Sequence, residues 1–467
     1  AYDQGVEAFA ARSSLTFGDP RDHFLQALDT PSQCFLATVA VGLTSFFQPQ
    51  SLPLAPARAP VLQKCLQDTR MCVQQSGDQL LERERWHAYA FHAVCRGELV
   101  LSSRIWETVA LHYPGDLLAI RCLHEVYRAL GDLSNLKQHV ARVLPYWDGS
   151  TVGYSHVLGM HAFGLAEAGQ FNEAEEAAMR SLQVETTTLT ALHAACKCFL
   201  GASRPREGLR FLRELEEQWG QADDVPRAIS WWKAHFYLDQ GDTDRVVHQL
   251  DVNFGSPEAR EGRPLVGEDF AAATELLWAL QLRGEEVKDR AEFVQEGWEA
   301  FAGQAGLGSL HGEIIKLMTG KEVSKDVQEA LEADLLPPDQ VSWSPTFTHE
   351  IDTAHTTECA LAALRAHHAG DHAECVAALL PVRRYLPALF GLESADVMEQ
   401  TLLASAELDP RLGRALYAQR SFERPHSPYV WIAYSRVLRL AGEMQAAEAA
   451  ASYAQTLGFN QRGFGAH

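Results

Sequence analysis

Histidine and cysteine clusters late in the sequence are the first candidates for chemistry. Imidazole and thiolate groups one helical turn apart could bind zinc. The candidates are His349, His355 and Cys359 in HEIDTAHTTEC, and His368, His372 and Cys375 in RAHHAGDHAEC. HEIDTAH lacks the H-E-x-x-H spacing of a zinc helix, and both cysteines occupy positions that the helical pattern assigns to packing. The sequence therefore predicts neither a metal site nor a cofactor.

Nucleophilic and phosphate-binding patterns are equally weak. Ser309 and His311 lie too close in sequence to indicate a catalytic triad, and no nucleophile elbow, P-loop or G-x-G-x-x-G turn occurs. Cys196 and Cys198 are one residue apart and do not form a C-x-x-C redox pair. We therefore predict no catalytic residue, and an enzyme is the less favoured interpretation.

The elements that must position any site are helices. Apolar residues recur at spacings of three or four almost throughout, which predicts an all-α fold. A tetratricopeptide repeat is a helix pair of about 34 residues with aromatic and small residues at fixed positions. Residues 86 to 114 fit this pattern, and further units begin near 120, 158, 192, 234, 359 and 431. Each pair exposes an apolar side that only the next pair covers.

The repeats predict one superhelical stack of antiparallel helix pairs, a tetratricopeptide-like solenoid with right-handed coiling and about 18 to 22 helices. Its expected parts are N-terminal helices over 1–80, the best-formed repeats over 81–253, an irregular helical segment over 254–350 and C-terminal repeats over 351–467. Pro- and Gly-rich elbows are expected at 48–60, 254–269 and 334–350. Turns between paired helices are expected at Gly97, Gly131, Gly169, Gly241, Gly370 and Gly442.

Composition limits the partners. The 467-residue chain is 46% hydrophobic and carries a formal net charge of −21, so we expect it not to bind nucleic acid. It contains no apolar run long enough to span a membrane. Its nine cysteines are scattered, which favours reduced thiols and a cytoplasmic location over a disulfide framework. The oligomeric state stays open.

One family resemblance rests on specific residues. The matching features are Arg83-Glu84 with His87, the turn Pro114-x-Asp116, His124 with Tyr127, the run Pro145-Tyr146-Trp147 and the run Phe163-Gly164-Leu165. With these features the chain resembles the tetratricopeptide repeat protein 38 family, strongly from about 80 to 215 and more weakly through ALLPVRRY and ERPHSP. The resemblance implies a helical-repeat fold around a superhelical cavity.

The chain also departs from that family. Where relatives read H-x3-H-x-H-E, this sequence has His193, Lys197, Phe199 and Leu200, so only the first histidine is kept. Where they have an aromatic and histidine run, this sequence has AISWWK and keeps Trp231. A ligand bound by those histidines in relatives is therefore not expected in this protein.

The repeat register assigns one face of each first helix to a concave groove. The binding candidates on that face are His87, Phe91, Arg121, His124, Glu125, Arg128, His156, Phe163, His193, Lys197, Trp231 and His235. Basic and aromatic side chains suit a carboxylate or another acidic group. Arg121 and Glu125 are expected to form an exposed pair, whereas Tyr127 should pack between helices.

His124 has two interpretations. It occupies a repeat position that usually holds Gly or Ala, so its imidazole is expected either to bond a neighbouring backbone group or carboxylate, or to point toward a ligand. The first interpretation is favoured.

Two function classes follow. The favoured one is a non-enzymatic binding scaffold whose groove holds a protein or peptide partner, with an acidic partner as one option and membership in a larger assembly as another. The alternative is an enzyme or small-molecule-binding protein whose cavity is lined by His87, His124, His193, Trp231 and His235. An open groove would support the first class, and an enclosed pocket of converging histidines the second.

Overall fold

The computed structural model describes residues 1–11, 17–29, 34–47, 60–76, 79–219, 224–254, 265, 267–301, 309–321 and 353–458. Within these ranges the chain forms α-helices joined by turns, two short 3-10 segments and no β-strand. No helix in the described ranges is both long and apolar enough to cross a bilayer.

In chain order, the first ten helices are α1 (Tyr2–Ala11), α2 (Pro20–Leu28), α3 (Phe35–Phe46), α4 (Pro60–Ser76), α5 (Glu82–Cys95), α6 (Leu99–His112), α7 (Leu117–Ala129), α8 (Leu133–Val143), α9 (Tyr154–Glu167) and α10 (Phe171–Val184). The next seven are α11 (Leu189–Gly201), α12 (Pro205–Trp219), α13 (Asp224–Gln240), α14 (Thr243–Phe254), α15 (Gly267–Gln281), α16 (Lys288–Phe301) and α17 (Ser309–Thr319). The last six are α18 (Thr353–His368), α19 (His372–Val382), α20 (Leu386–Ala406), α21 (Pro410–Glu423), α22 (Pro428–Leu440) and α23 (Met444–Thr456).

The chain divides into two compact units. Apart from short segments, unit 1 is Ala1–Ala195, and unit 2 is Cys196–Gly220, Pro226–Glu332 and Ile351–His467. Each unit has its own apolar core, with Phe91 and Trp106 central in unit 1 and Phe270 and Trp278 central in unit 2. These four side chains are at most 1% exposed.

The seven repeats predicted from the sequence are helix pairs. They are α5/α6, α7/α8, α9/α10, α11/α12, α13/α14, α18/α19 and α22/α23. The all-α helical-repeat class is therefore confirmed. The 23 α-helices in the described ranges exceed the expected upper number of about 22. The segment expected to be irregular and helical contains three regular helices, α15 to α17.

Glycines let aromatic rings approach a neighbouring helix closely. A Cβ added to Gly42 would lie 2.2 Å from the Phe91 ring, and one added to Gly208 would lie 2.3 Å from the Phe236 ring. Gly164 instead allows close contact of α9 with the backbone of α8, since its Cβ would lie 2.6 Å from the Leu136 carbonyl oxygen. These contacts realise the small-residue packing expected of the repeats.

Turn chemistry is also as predicted. All six glycines assigned to turns have positive φ, between 65° and 82°. Aspartates follow three of these glycines and cap the next helix by accepting from a backbone amide. The capping bonds are Asn135 N to Asp132 at 3.0 Å, Arg245 N to Asp242 at 3.2 Å and Glu374 N to Asp371 at 3.1 Å. The expected elbow at 334–350 and most of those at 48–60 and 254–269 lie outside the described residues, and Pro60 begins α4.

All nine cysteines are free thiols. The six buried ones are Cys65, Cys95, Cys122, Cys196, Cys198 and Cys375. They are distributed over both units.

Candidate functional site

The predicted groove of unit 1 is packed rather than open at Arg121. Helix α1 lies against α7. There Arg121 Nε donates to the carbonyl oxygen of Phe9 at 3.2 Å, and its guanidinium lies 5.2 Å from the centroid of the Phe9 ring. Its Nη1 also donates to Glu125, which Arg128 contacts at 2.9 Å. The prediction that Arg121 and Glu125 form an exposed pair is wrong, because they are 3% and 5% exposed.

His87 belongs to a buried hydrogen-bond chain. Trp106 Nε1 donates to His87 Nδ1 at 3.2 Å, and His87 Nε2 donates to Asp116 at 3.0 Å. Asp116 also caps α7 by accepting from Ala119 N at 3.0 Å. Burial raises the pKa of Asp116, but His87 and the capping bond outweigh it and hold the pKa below its usual value. His87 thus joins three helices within the core of unit 1.

His124 and His156 are buried in aromatic surroundings. His124 is 3% exposed, with ring centroids 5.3 Å from Phe163 and 5.9 Å from His139. Burial holds its pKa well below the usual value. His156 is 1% exposed and makes an edge contact with Phe17 at 5.4 Å, and burial lowers its pKa to about 4. Neither Nδ1 atom has a hydrogen-bond partner among the described residues.

The remaining unit 1 candidates differ in exposure. Phe91 is fully buried against Gly42, whereas Phe163 and His193 are half-buried. Arg128 keeps 46% of its side chain exposed while it pairs with Glu125. Tyr127 packs as predicted, 3% exposed and 5.5 Å from the His139 ring.

In unit 2 two of the predicted candidates donate hydrogen bonds to carboxylates of the protein itself. Lys197 Nζ donates to Glu393 at 2.6 Å, and Trp231 Nε1 donates to Asp269 at 2.8 Å. His235 is half-buried, and burial lowers its pKa despite the opposing effect of nearby acidic groups, first among them Glu275. A role of these residues in binding stays a prediction.

The late histidine and cysteine clusters are dispersed. Cys359 Sγ lies 3.6 Å from His355 Nε2 on one helix, and His349 lies outside the described residues. Ser405 Oγ is bonded to His367 at 2.7 Å, with His372 at 3.4 Å, while His368 is exposed. Among the described residues no three His, Cys, Asp or Glu side chains are placed to share a metal ion.

A polar recess in unit 2 brings together groups that the sequence did not single out, apart from His235. Its volume is about 30 Å³, and it opens to solvent. Its walls come from the end of α11, the turn after α15, and helices α13, α20, α21 and α22. The polar lining residues are His235, Asp239, Arg283, Asp396, Gln400, Tyr417, Arg420, Ser427 and Tyr429, and the apolar ones are Leu200, Leu238, Leu403 and Val430.

One aspartate of the recess is neutralised within it. Asp396 accepts from Arg420, from Arg424 at 3.1 Å and from Gln400 at 2.8 Å. Burial raises the pKa of Asp396, but the Arg420 and Arg424 guanidiniums outweigh it and hold the pKa far below the usual value. Asp239 is less well compensated: its Oδ1 lies 4.0 Å from Arg424, and burial raises its pKa.

Arg283 is the cation of the recess without an acidic partner among the described residues. It is 8% exposed, and its Nη1 donates to the Ala279 carbonyl oxygen and to Gln400 Oε1, both at 2.7 Å. The guanidinium lies 3.9 Å from the centroid of the Tyr429 ring. Its Nε is buried with no hydrogen-bond partner in the described part of the chain.

Sequence reasoning missed this recess because its members are far apart in the chain. The one available signal was the run ERPHSP, which contains Arg424 and Ser427 and belongs to the weaker part of the family resemblance. Arg283 carried no signal, since an arginine just before a glycine turn is usually a solvated helix end.

The fold and these packed repeats define a tetratricopeptide-like helical-repeat protein. No family model matches the chain. Among solved structures, a monomeric mutant of IFIT1 with Gppp-AAAA aligns at 11% identity and a TM-score of 0.32, covering 97% of this chain and 95% of that chain. This likeness does not show the tetratricopeptide repeat protein 38 family.

The expectation that the chain does not bind nucleic acid must be corrected. That expectation rested on the acidic composition, and the IFIT1 structure reported above contains Gppp-AAAA, a nucleic-acid ligand. Net charge is a property of the whole surface, whereas a ligand meets only the local charges of its site. The acidic composition therefore does not exclude a nucleic-acid partner.

Proposed function

We propose that this protein is a non-enzymatic helical-repeat scaffold that holds a protein or peptide partner through a concave surface of unit 2, made up of the recess together with Lys197 and Trp231. The observation that supports it most is the recess around Arg283 and Arg420, which concentrates guanidinium groups in a chain of net charge −21. Aliphatic walls beside such cations suit the end of an acidic or carboxylate-bearing segment.

The size of the recess favours a scaffold over an enzyme. A space of about 30 Å³ accommodates a terminal group, whereas pockets for whole small molecules are typically about 300 to 1,000 Å³. Of the histidines that the alternative function requires, His87 and His124 are buried in packing contacts of unit 1. The proposal includes membership in the tetratricopeptide repeat protein 38 family. It also includes a cytoplasmic location, which the nine free thiols support.

A peptide-library selection tests the proposal. The full chain is panned against random peptides with free carboxyl termini, and enriched peptides are measured by calorimetry. We expect acidic peptides or peptides of one carboxyl-terminal class to bind wild type, and to bind a Lys197→Gln variant more weakly if the concave surface carries the contact. A control is Arg245→Gln, since Arg245 is 62% exposed and pairs with Asp242.

Native mass spectrometry of the purified protein distinguishes the alternative. A co-purifying small molecule together with no enriched peptide would contradict the scaffold proposal. The same outcome would favour a small-molecule-binding protein.

A further inference from the structure

We infer that the recess in unit 2 is a binding site for a single carboxylate group, with Arg283 as its principal ligand-binding residue. The inference rests on the proposed function and assigns the chemistry that the partner presents at this site. Three independent features carry it: a buried cation without an acidic partner among the described residues, a helix N-terminus without a side-chain cap, and a space of matching size and charge.

The first feature is the electrostatic state of Arg283. A buried charge is costly unless an opposite charge and hydrogen bonds compensate it. Arg283 is only 8% exposed, yet it bonds only a carbonyl oxygen and an amide oxygen among the described residues. Its unpartnered Nε belongs to a residue that lines the recess. The guanidinium can therefore bind one more oxygen ligand without losing its present contacts.

The second feature is the start of α22. Its N-cap residue Ser427 makes no side-chain cap, because its hydroxyl donates to the Asp239 carbonyl oxygen at 2.9 Å. Pro428 has no N–H, so the first amides of the helix belong to Tyr429 and Val430, two residues that line the recess. Amides in the first turn of a helix favour a negative group.

The third feature separates a carboxylate from a phosphate. The recess lining contributes Arg283 and Arg420 against Asp239 and Asp396, and Arg420 and the adjoining Arg424 both donate to Asp396, so Arg283 is the lining guanidinium that no described carboxylate contacts. One such guanidinium matches a monoanion, and repulsion by Asp239 is about twice as strong for a phosphate dianion as for a carboxylate at the same distance. The recess is also lined by aliphatic side chains that suit an aliphatic group next to the carboxylate, namely Leu200, Leu238, Leu403 and Val430.

The experiment uses the full chain with N-acetyl-leucine as probe and N-acetyl-leucine amide as its neutral control. Calorimetry and thermal shift are measured for wild type, Arg283→Gln, Arg283→Lys and the exposed control Arg245→Gln. We expect wild type and Arg245→Gln to bind the acid and not the amide. Arg283→Gln should weaken binding about tenfold or more, since a charge-assisted hydrogen bond is lost. Arg283→Lys should bind with intermediate affinity.

Ligand-free stability gives a second readout. Because Arg283→Gln removes a buried charge and keeps a donor for Ala279, its Tm should equal or exceed that of wild type. A purely structural Arg283 would instead lower Tm in both variants and leave affinity for the acid unchanged. Equal binding of acid and amide, or binding unaffected in both Arg283 variants, overturns the inference. If Arg283→Gln does not fold, the affinity of Arg283→Lys for N-acetyl-leucine decides between the two outcomes.

The source of the carboxylate is read from a matched peptide pair. A library-derived peptide is compared with its carboxyl-terminal amide. Loss of binding on amidation assigns the site to a chain terminus, and retention in a peptide with acidic side chains assigns it to a side chain. If N-acetyl-leucine binds but no library peptide does, the carboxylate site in the recess is supported and the scaffold proposal is contradicted. If peptides bind wild type and both Arg283 variants equally, the scaffold proposal is supported and the carboxylate site at Arg283 is contradicted.

Discussion

Arg121 shows how a residue expected in a groove serves the core. Its guanidinium bonds Glu125 on its own helix and the Phe9 carbonyl oxygen on α1, which is 112 residues away in sequence. The i, i+4 pairing was predictable from spacing alone. The burial was not, because α1 has no repeat signature that would place it on α7.

The first prediction concerns the stability of this pair. Arg121→Ala should reduce the free energy of unfolding by roughly 3 to 5 kcal/mol, because it leaves the Glu125 carboxylate buried with less compensation. Chemical denaturation followed by circular dichroism measures the loss. An exposed pair would instead give a loss of under about 1 kcal/mol, so the size of the loss distinguishes a buried pair from an exposed one.

A double variant provides the control. Arg121→Met with Glu125→Leu removes both charges and keeps apolar volume, so it should recover most of the stability lost in Arg121→Ala. If Arg121→Ala is nearly neutral, the buried pairing of Arg121 with Glu125 does not stabilise the folded state.

Buried histidines give unit 1 a pH dependence. Burial lowers the pKa values of His139 and His156 to about 4 each, and a histidine in an unfolded chain has a pKa near 6.5. Between these values the unfolded state binds more protons than the folded state, so stability falls as pH decreases from about 6.5 to 4. The expected loss is roughly 2 to 3 kcal/mol per histidine across that window.

The measurement is the urea midpoint across this pH window. His156→Gln should flatten the dependence relative to wild type, whereas His112→Gln, at an exposed position, should leave it unchanged. Parallel curves for wild type and His156→Gln would contradict the assignment of His156 as a neutral buried group.

At the scale of elements, glycines at the turns carry a backbone requirement. Gly169 has φ of 75°, and a Cβ there would meet no atom within 4 Å, so Gly169→Ala isolates the backbone contribution. We expect a loss of about 1 to 2 kcal/mol of unfolding free energy, measured by chemical denaturation. Gly115→Ala is the matched control, since its Cβ also meets nothing and its φ is not positive. Equal stability of the two variants would contradict the turn assignment.

The paired helices were predictable because each repeat is a local pattern. Trp86 to Pro114 contains both helices of one unit and the turn between them, so about 34 residues suffice to recognise it. Helices α15 to α17 were not predicted as regular elements, since the Pro- and Gly-rich stretch before them hid their periodicity. Tyr127 was placed correctly because its repeat position depends only on neighbours within the same unit.

At the scale of the whole molecule, local repetition predicts the class but not the sites. The recess joins Asp239, Arg283, Asp396 and Arg420, which lie on four separate stretches of unit 2. No periodic pattern connects such positions, because long-range contacts depend on how successive repeats stack. The single continuous stack expected from the sequence stays a prediction, and each unit has its own apolar core.

The free thiols have a consequence for following the motions of the two units. Burial raises the pKa of Cys95 to about 12 and raises those of Cys122 in unit 1 and Cys196 in unit 2 well above the usual value. Thiolate, the form that reacts with alkylating reagents, is therefore scarce in the folded state. Alkylation of these cysteines requires local opening of the surrounding structure. The alkylation rate of each buried thiol therefore reports how often its own surroundings open.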